Sequence, residues 1–334
     1  MIRTTTVGSW PIPFGLKRYL TSYYKGALTD ETGYEWLQKA ARIAIDEQIG
    51  CGLDQIMGGE VFAPDFVHHV PPRLDGLEVI KKRDHRAGYE GAGRYAIAGD
   101  ISAPNGTGHA KAYRREKAIE PALDKTAVPS VLTMTGSFAS DPRLPEQMEN
   151  MARIVEDEVL DMVAADAAEV QLDAPSEAIG LINESRTVAE IVPWLTYPFR
   201  HVEGVRRTVH FCLGDMGRRP ATQEQHLRNL IPLIQALEGQ IDRAHIECSY
   251  AGQWEERELL AAIPESIEVI AGIADSKSKP QSVETLREGA EALARVVPPE
   301  RLLLSSSCGC GRVPHDDAIE MMRNLVEAAR TAEV

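Results

Sequence analysis

A histidine and a cysteine two positions apart, His210 and Cys212, are the first candidates for chemistry in this sequence. On a β-strand, side chains two residues apart point to the same face, so the imidazole and the thiol would lie side by side. Such a pair is typical of zinc sites, because Zn²⁺ binds cysteine and histidine tetrahedrally and a catalytic site keeps one position open. Taken alone, the pair is more simply interpreted as a buried cysteine that packs as a small apolar residue beside a hydrogen-bonded histidine.

Two further segments contribute ligand types. Glu247 ends a short apolar run, where a charge is costly unless it meets a cation; a salt bridge is the simpler partner. Cys308 and Cys310 flank a glycine after another apolar run, which alone indicates a turn or a redox pair. These residues lie at the ends of predicted strands, which would converge at one rim of a parallel barrel. We therefore expect a single Zn²⁺ held by His210, Cys212, Glu247 and Cys308. Cys310 is the alternative fourth ligand, and Cys248 should face away from Glu247.

The ligand types also indicate what the zinc would do. Hydrolytic zinc barrels usually carry a His-x-His pair and a water-activating carboxylate, whereas thiolate ligands make the metal softer and less acidifying. A thiolate-rich zinc suits the binding of a substrate thiol. A free thiol, with a pKa near ~8.5, is only slightly ionised at neutral pH, and coordination removes that limit.

The elements that must position these residues alternate between strands and helices. Eight β-rich runs are predicted as strands, at residues 4–9, 54–60, 130–135, 169–173, 207–213, 243–248, 268–274 and 301–307. Apolar residues at helical spacing lie between them, as at Met148, Met151, Val155, Val159 and Met162. This alternation, in a chain above the ~250 residues typical of the fold, predicts an α/β (β/α)₈ TIM barrel. A doubly wound open sheet is the alternative, because periodicity does not report closure.

The chain shows no linker, repeat or low-complexity tract, so residues 1–334 are predicted to form a single catalytic domain. Residues 62–127 exceed what one barrel connection needs. We therefore expect them to form a long excursion inserted between strands two and three.

Composition excludes several classes of protein. With 36 Lys and Arg against 50 Asp and Glu, the net charge is −14, which argues against nucleic-acid or anionic-membrane partners because both require a basic surface. The 5 cysteines are odd in number and sparse, unlike a disulfide framework. No run is apolar enough to span a bilayer, and the start does not resemble a signal peptide. A cytoplasmic location is expected.

Several motifs together resemble the C-terminal catalytic barrel of cobalamin-independent methionine synthase, and more closely the short single-barrel members of that superfamily. The Thr-Thr-Thr-Val-Gly-Ser run at 4–9 is similar to the family's first strand, Gly59-Glu60 to its second strand end, and Gln171-Leu-Asp-Ala-Pro175 to its Asp-Glu-Pro segment. The predicted zinc ligands match the family's in order and type.

The resemblance implies a zinc-bound thiolate, most simply that of L-homocysteine, that attacks a methyl donor to give methionine. Ser9 would hold the carboxylate of the amino acid, while Glu60 and Asp173 would pair with its ammonium group. Two carboxylates at a barrel mouth are also what a substrate ammonium requires on chemical grounds.

One departure from the family concerns the methyl donor. The family's Asp-x-His after strand seven, whose histidine protonates the leaving group of the folate, is Asp275-Ser-Lys277 here. Asp275 and Lys277 are therefore the candidate catalytic residues, although a solvated loop lysine is an equal interpretation of Lys277. Because the leaving nitrogen of methyltetrahydrofolate needs a proton donor, the change favours methylcobalamin on a corrinoid protein over methyltetrahydrofolate.

Two other functions stay open at this point. A zinc-activated thiol could open an epoxide or form another carbon–sulfur bond, which would keep the ligands but need no methyl donor. A barrel without catalysis could instead bind zinc or a small ligand. The polar residues expected around a thiol substrate favour an enzyme.

Overall fold

The computed structural model describes residues 1–13, 15–16, 30–63, 66–82, 93–214, 218–219, 222, 226–249 and 252–334. The strands are β1 (Arg3–Thr4), β2 (Asp75–Lys81), β3 (Arg94–Ser102), β4 (Lys125–Pro129), β5 (Glu169–Asp173), β6 (Arg206–Phe211), β7 (Arg243–Glu247), β8 (Glu268–Ala274) and β9 (Leu302–Ser306). The helices are α1 (Asp30–Cys51), α2 (His109–Ile119), α3 (Val131–Met134), α4 (Leu144–Val163), α5 (Pro175–Ile182), α6 (Val188–Thr196), α7 (Leu227–Ala236), α8 (Val283–Ala294) and α9 (His315–Thr331). No helix among these ranges is both long and apolar enough to cross a membrane.

Seven of the described strands form one parallel sheet in the order β1-β9-β8-β7-β6-β5-β4. The order follows the chain without reversing. A doubly wound sheet would reverse at a switch point, so the continuous order matches the expected TIM barrel fold.

Gln55 lies where the eighth strand of the barrel is expected. It forms an isolated parallel bridge with Thr5, just past the end of β1. Its side-chain amide donates to Glu169 Oε2 at 3.1 Å and to Asp124 Oδ1 at 3.3 Å, next to β4 and β5. Gln55 therefore links the two outer strands of the sheet, although the predicted strand at 54–60 is reduced to this one bridge.

The prediction of a third strand at 130–135 was wrong. The strand lies just before it, at β4, and residues 131–138 form α3 followed by a 3₁₀ turn. Pro129 has no N–H to continue a ladder, and the Ser130 side chain caps α3 by accepting from Thr133 N at 3.2 Å. The strand was not recognised from the sequence because β4 begins with Lys125, and a charged residue is rare at a buried position.

That lysine belongs to an ionic layer inside the barrel. Glu169 is fully buried and lies 2.5 Å from Arg243 Nη1 and 3.8 Å from Lys125 Nζ. Arg243 also meets Glu268 at 2.6 Å. Buried charges persist only where they are paired, and this layer joins β4, β5, β7 and β8.

The segment 62–127 contains a two-stranded antiparallel hairpin, β2–β3, and helix α2, before β4 begins at Lys125. Its end therefore overlaps the first residues of the strand. The hairpin is fastened to α4, because the Ile101 amide donates to Gln147 Oε1 at 2.9 Å. The apolar stripe predicted around Met151 and Val155 is confirmed as the buried face of α4.

Candidate metal and thiol site

The C-terminal ends of the parallel strands bring most of the candidate side chains to one rim. β5 ends at Asp173, which pairs in register with His210 on β6. His210 in turn pairs with His245 on β7, two residues before Glu247. Cys308 lies two residues after β9, which ends at Ser306. The barrel therefore places residues from four strands around one point.

Three predicted ligands converge there. The side-chain donor atoms of His210, Cys212 and Cys308 all lie within 4.8 Å of one another, and they form the only such metal-binding group found in the described residues. The two sulfur atoms are 3.3 Å apart. Cys212 is buried and Cys308 partly exposed, so the group opens on one side. Three ligands with an open side match the general form of a catalytic zinc site.

The state of His210 supports this interpretation. Among the residues that the structure describes, neither ring nitrogen of this buried side chain has a hydrogen-bond partner, which is costly in a core unless another group binds there. Burial, together with the Lys125 and Lys277 cations, lowers the pKa of His210 to about 3. The ring is therefore neutral at physiological pH, as a metal ligand must be.

The Cys212 thiol is protonated in the absence of a cation. The contact with Cys308 and burial raise the pKa of Cys212 well above its usual value. A divalent cation would reverse this, because it binds thiolates and displaces their protons. The donor set of two sulfurs and one imidazole thus fits zinc.

Glu247 has a different partner from the one expected. Its Oε2 lies 2.5 Å from Lys277 Nζ, while Oε1 accepts from the Leu213 amide at 2.8 Å. Burial raises the pKa of Glu247, and Lys277 offsets that only in part. For Lys277, burial disfavours the charge, but Glu247 outweighs it and raises the pKa above its usual value. Lys277 is therefore a buried ammonium beside the cysteines and not a solvated loop lysine.

Asp275 positions the loop that carries Lys277. Its Oδ1 accepts from the Lys277 amide at 2.8 Å, which forms a tight turn after β8. Ser276, between them, is fixed by Ser307, whose Oγ accepts from the Ser276 amide at 3.1 Å. Asp275 thus acts on the loop backbone, whereas Lys277 reaches into the ligand cluster.

Ser9, Glu60 and Asp173 lie beside the cluster. Ser9 Oγ accepts from the Gly311 amide at 3.2 Å, on the loop that carries Cys308. A Cβ on Gly309 would lie 2.3 Å from Ser9 Oγ, so this loop passes close to the hydroxyl at a glycine. Glu60 adopts a left-handed backbone with φ of 56°, which is strained for a non-glycine residue and is typical of functional positions.

The carboxyl groups of Glu60 and Asp173 are both removed from solvent. Burial raises the pKa of Glu60, and the charges of Asp173, Glu116 and Cys308 raise it further. Burial also raises the pKa of Asp173 to about 7, against the opposing effects of Gln171 and Lys125. The Gln171 amide donates to Asp173 Oδ1 at 2.7 Å and fixes it. Carboxyl groups held this way are ready for a cationic ligand, which would favour their ionised forms.

Two nearby residues were missed from the sequence. The ring of His245 lies 4.4 Å from that of His210, and its Nε2 contacts Ser306 O at 3.1 Å. The two-residue spacing from Glu247 on β7 could have revealed it. Glu116 is buried and raises the pKa of Glu60, but no sequence pattern distinguishes it from the exposed charges of α2.

The other cysteines lie apart from the cluster's donor atoms. Cys248 is buried and lines a cavity with Leu286 and Gly289 of α8, on the helix side of the sheet. Cys310 is buried, and its amide donates to Ser9 O at 2.8 Å. Its thiol is not part of the group of donor atoms around His210.

Comparison with known proteins finds a family model that covers nearly the whole chain. The family model described as the cobalamin-independent synthase catalytic domain matches residues 2–331. Two curated relatives, from Shewanella oneidensis and Trichodesmium erythraeum, are each named 5-methyltetrahydropteroyltriglutamate–homocysteine methyltransferase. The first is 24% identical over 341 residues and the second 27% over 343, covering 99% and 98% of this chain. The chain spans about two fifths of their length, 43% in both cases.

A solved structure of comparable size has the same fold. The B12-independent methionine synthase from Shewanella sp. W3-18-1, in complex with selenomethionine, superposes with a TM-score of 0.79 at 19% identity. The match covers 99% of this chain and 97% of that one. The barrel fold expected from the sequence is therefore confirmed.

Proposed function

We propose that this chain, which belongs to the family of cobalamin-independent synthase catalytic domains, is a zinc-dependent methyltransferase that methylates the thiol of L-homocysteine to give methionine. The observation that carries the proposal is the convergence of His210, Cys212 and Cys308 beside the buried carboxyl groups of Glu60 and Asp173. One part of the site suits a soft metal and a thiol, and the other suits an ammonium group.

His210, Cys212 and Cys308 would hold the metal, and Glu247 would complete the set. When bound, zinc would keep the sulfur of the substrate ionised at neutral pH. Glu247 qualifies because its carboxylate is already fixed by the Leu213 amide and, at its other oxygen, is matched to a cation, which is Lys277 in this structure.

The remaining residues would bind and orient the amino acid. Glu60 and Asp173 would pair with its ammonium, and Ser9 would donate to its carboxylate. These contacts fix the end of the substrate that does not react, and so limit the positions that its sulfur can take. Asp275 would keep the Lys277 loop in place through its bond to the backbone.

For the methyl donor we propose a 5-methyltetrahydropteroyl compound, as in the names of the curated relatives. Lys277 would supply the proton that the leaving nitrogen requires. The corrinoid donor favoured by the sequence gains no support from those names or from that of the family. It stays as an arm of the assay because a corrinoid donor would not need a proton from Lys277.

The first experiment is the metal content of the purified protein, followed by X-ray absorption at the zinc edge with and without L-homocysteine. One zinc per chain that gains a sulfur neighbour on adding the thiol supports the proposal. A zinc that does not respond to the thiol contradicts it and favours a protein that only binds metal.

The second experiment is a methyl-transfer assay with 5-methyltetrahydrofolate, its triglutamyl form and methylcobalamin as separate donors. Turnover of either folate supports the proposed donor. Turnover of methylcobalamin alone would replace it with a corrinoid donor. If no donor reacts but an epoxide consumes the thiol, the enzyme forms another carbon–sulfur bond.

A further inference from the structure

A buried carboxyl group lies behind the proposed amino-acid site, on α2. Glu116 is only 6% exposed, whereas the lysines and arginines of the same helix are at least partly exposed. Within the described part of the chain, Glu116 Oε1 has no hydrogen-bond partner. A buried carboxyl group in this state is costly as an anion, and burial raises the pKa of Glu116 from 4.5 to about 8. At neutral pH Glu116 therefore keeps its proton and is a hydrogen-bond donor.

The backbone opposite Glu116 leaves room for this carboxyl group. A Cβ on Gly58 would clash with Glu116 Oε2, so the carboxyl group lies directly against the backbone of this glycine. Gly59 follows with φ of 83°, and Glu60 with its left-handed φ of 56°. One short segment, 58–60, therefore contacts Glu116 at its beginning and carries the Glu60 side chain at its end.

Glu60 and Glu116 line the same small cavity. Its volume is about 20 Å³, which is enough for about one water molecule. Such a water needs two to four polar partners, and Glu60, Glu116 and Thr126 supply polar groups to the wall. The rest of the wall is largely apolar and includes Met57, Ala63, Phe66 and Ala127.

The other polar side chains in the wall have partners elsewhere. Tyr113 Oη donates to Leu123 O at 3.1 Å. The ring nitrogens of His109 contact Thr107 Oγ1 at 2.8 Å and Phe66 O at 2.9 Å. Burial lowers the pKa of His109 to about 3, so this ring is neutral. The described wall of the cavity therefore holds two carboxyl groups and no cation.

Glu60 also reaches the amino-acid site. A Cβ on Gly8 would clash with Glu60 Oε1, so this oxygen lies against the segment that carries Ser9. Burial is the main cause that raises the pKa of Glu60, and Glu116 adds to it when it carries a charge. A like charge opposes ionisation, whereas a donated hydrogen bond favours it. The protonation state of Glu116 therefore decides whether it opposes or supports the charge on Glu60.

We propose that Glu116 is a positioning residue, a neutral acid that donates a hydrogen bond through one water in the cavity to the carboxylate of Glu60. The bond would keep Glu60 ionised and directed at the ammonium group of the substrate. The inference rests on the proposed function, because it assigns a support to the ammonium site of that reaction. Glu116 keeps its proton in this role, so Glu60 and Asp173 remain the two carboxylates that pair with the ammonium.

Calorimetric titration of the zinc-loaded protein with L-homocysteine compares two variants of Glu116. Glu116→Met cannot donate and should bind about tenfold more weakly, as for the loss of a hydrogen bond to a charged group. Glu116→Gln keeps an N–H donor without a charge and should restore the original affinity to within about twofold. The ligand 3-mercaptopropionate, which lacks the amino group, should bind all three proteins equally.

Glu120→Met is the matched control, because it removes a carboxyl group just after the same helix and outside the cavity. It should leave the affinity for L-homocysteine unchanged. Equal losses in Glu116→Gln and Glu116→Met would overturn the inference, because the carboxyl group itself would then be required. Unchanged affinity in Glu116→Met, or an equal loss with 3-mercaptopropionate, would also overturn it. Zinc content and circular dichroism check that each variant is folded.

Infrared difference spectroscopy tests the proton on Glu116 without any ligand. At neutral pH the original protein should show the C=O stretch of a protonated carboxylic acid that Glu116→Gln lacks. Glu60→Gln should shift this band, because the group at the other end of the hydrogen bond has changed. A spectrum without the band, or a band that Glu60→Gln leaves in place, would contradict the proposed role of Glu116.

The two measurements separate this inference from the proposed function. If the original protein binds no L-homocysteine, the proposed function fails, while the infrared band still decides whether Glu116 donates towards Glu60. If L-homocysteine binds and is methylated but the band is absent, only the role of Glu116 fails.

Discussion

The ammonium of Lys277 lies 2.5 Å from a carboxylate oxygen of Glu247, and both side chains are almost entirely buried. Glu247 ends β7, and Lys277 lies on the loop that follows the neighbouring strand β8. In this structure Lys277 therefore pairs with Glu247, the carboxylate that the sequence predicts as a metal ligand. Because a buried carboxylate needs a cation in either case, Lys277 would serve as the partner of Glu247 whenever metal is absent.

Replacing Lys277 should therefore affect the metal-free protein most. Lys277→Met leaves Glu247 buried without a partner, and we expect the free energy of unfolding to fall by up to about 3 kcal/mol. With saturating zinc the loss should be much smaller, because the metal supplies the missing charge. Urea unfolding with and without zinc measures both values. Lys279→Met, an exposed lysine of the same loop, is the control and should change stability by less than about 0.5 kcal/mol. An equal loss in both conditions would contradict the shared role of the carboxylate.

The cysteines are expected to differ sharply in their effect on metal content. Cys212→Ser and Cys308→Ser should each abolish stoichiometric zinc, because a hydroxyl is a poor ligand for a soft metal at neutral pH. Cys310→Ser should retain the zinc, since its thiol is outside the group of donor atoms. Elemental analysis after dialysis measures all three. Retention by the Cys308 variant together with loss by the Cys310 variant would transfer the ligand role to Cys310.

The ammonium site is tested by Asp173→Asn. The change keeps the shape and the bond from Gln171 but removes the negative charge. We expect zinc content to be unchanged and L-homocysteine to bind about ten- to a hundredfold more weakly, as for the loss of a charged hydrogen bond. A thiol without the amino group, such as 3-mercaptopropionate, is the matched ligand and should bind both proteins equally. Unchanged affinity for homocysteine would remove Asp173 from the substrate site.

Much of this arrangement follows from simple sequence patterns. A buried parallel strand is a short apolar run, and functional polar residues lie at its C-terminal end. These two signals predicted β5 and β8 with the bounds that the structure shows. The same reasoning predicted His210 and Cys212 on one face of a strand, and Cys212 directly follows β6, which ends at Phe211. It failed at β4, because Lys125 interrupts the apolar pattern and Ser130 is a helix cap.

What the sequence did not reveal depends on contacts between distant segments. Nothing local to Lys277 indicates that its side chain points inward, because the turn that directs it is set by Asp275 and by Ser307 on another loop. The pairing of Arg115 with the rings of Tyr34 and Phe62 likewise joins residues that are far apart along the chain. Such relationships follow from the packing of the barrel and not from periodicity.

Glu177 on α5 should make stability depend on pH. Glu177 is fully buried, and its Oε2 accepts from Thr133 Oγ1 at 3.3 Å, whereas its Oε1 has no hydrogen-bond partner among the residues that the structure describes. Burial raises its pKa from 4.5 to about 7. Between these values the unfolded chain has lost the proton and the folded protein keeps it. The contribution of Glu177 is therefore complete below about pH 4.5 and is lost as the pH rises towards 7, by up to about 1.4 kcal/mol per unit.

Glu177→Gln replaces the carboxyl group with an amide that cannot ionise. The free energy of unfolding, measured in urea at pH 5, 6, 7 and 8, should fall less steeply from pH 5 to 7 in the variant than in the original protein. Glu284→Gln, at an exposed position on α8, is the control and should keep the original slope. Parallel pH profiles for the Glu177 variant and the original protein would mean that the carboxyl group is solvated in the folded state and that its pKa is ordinary.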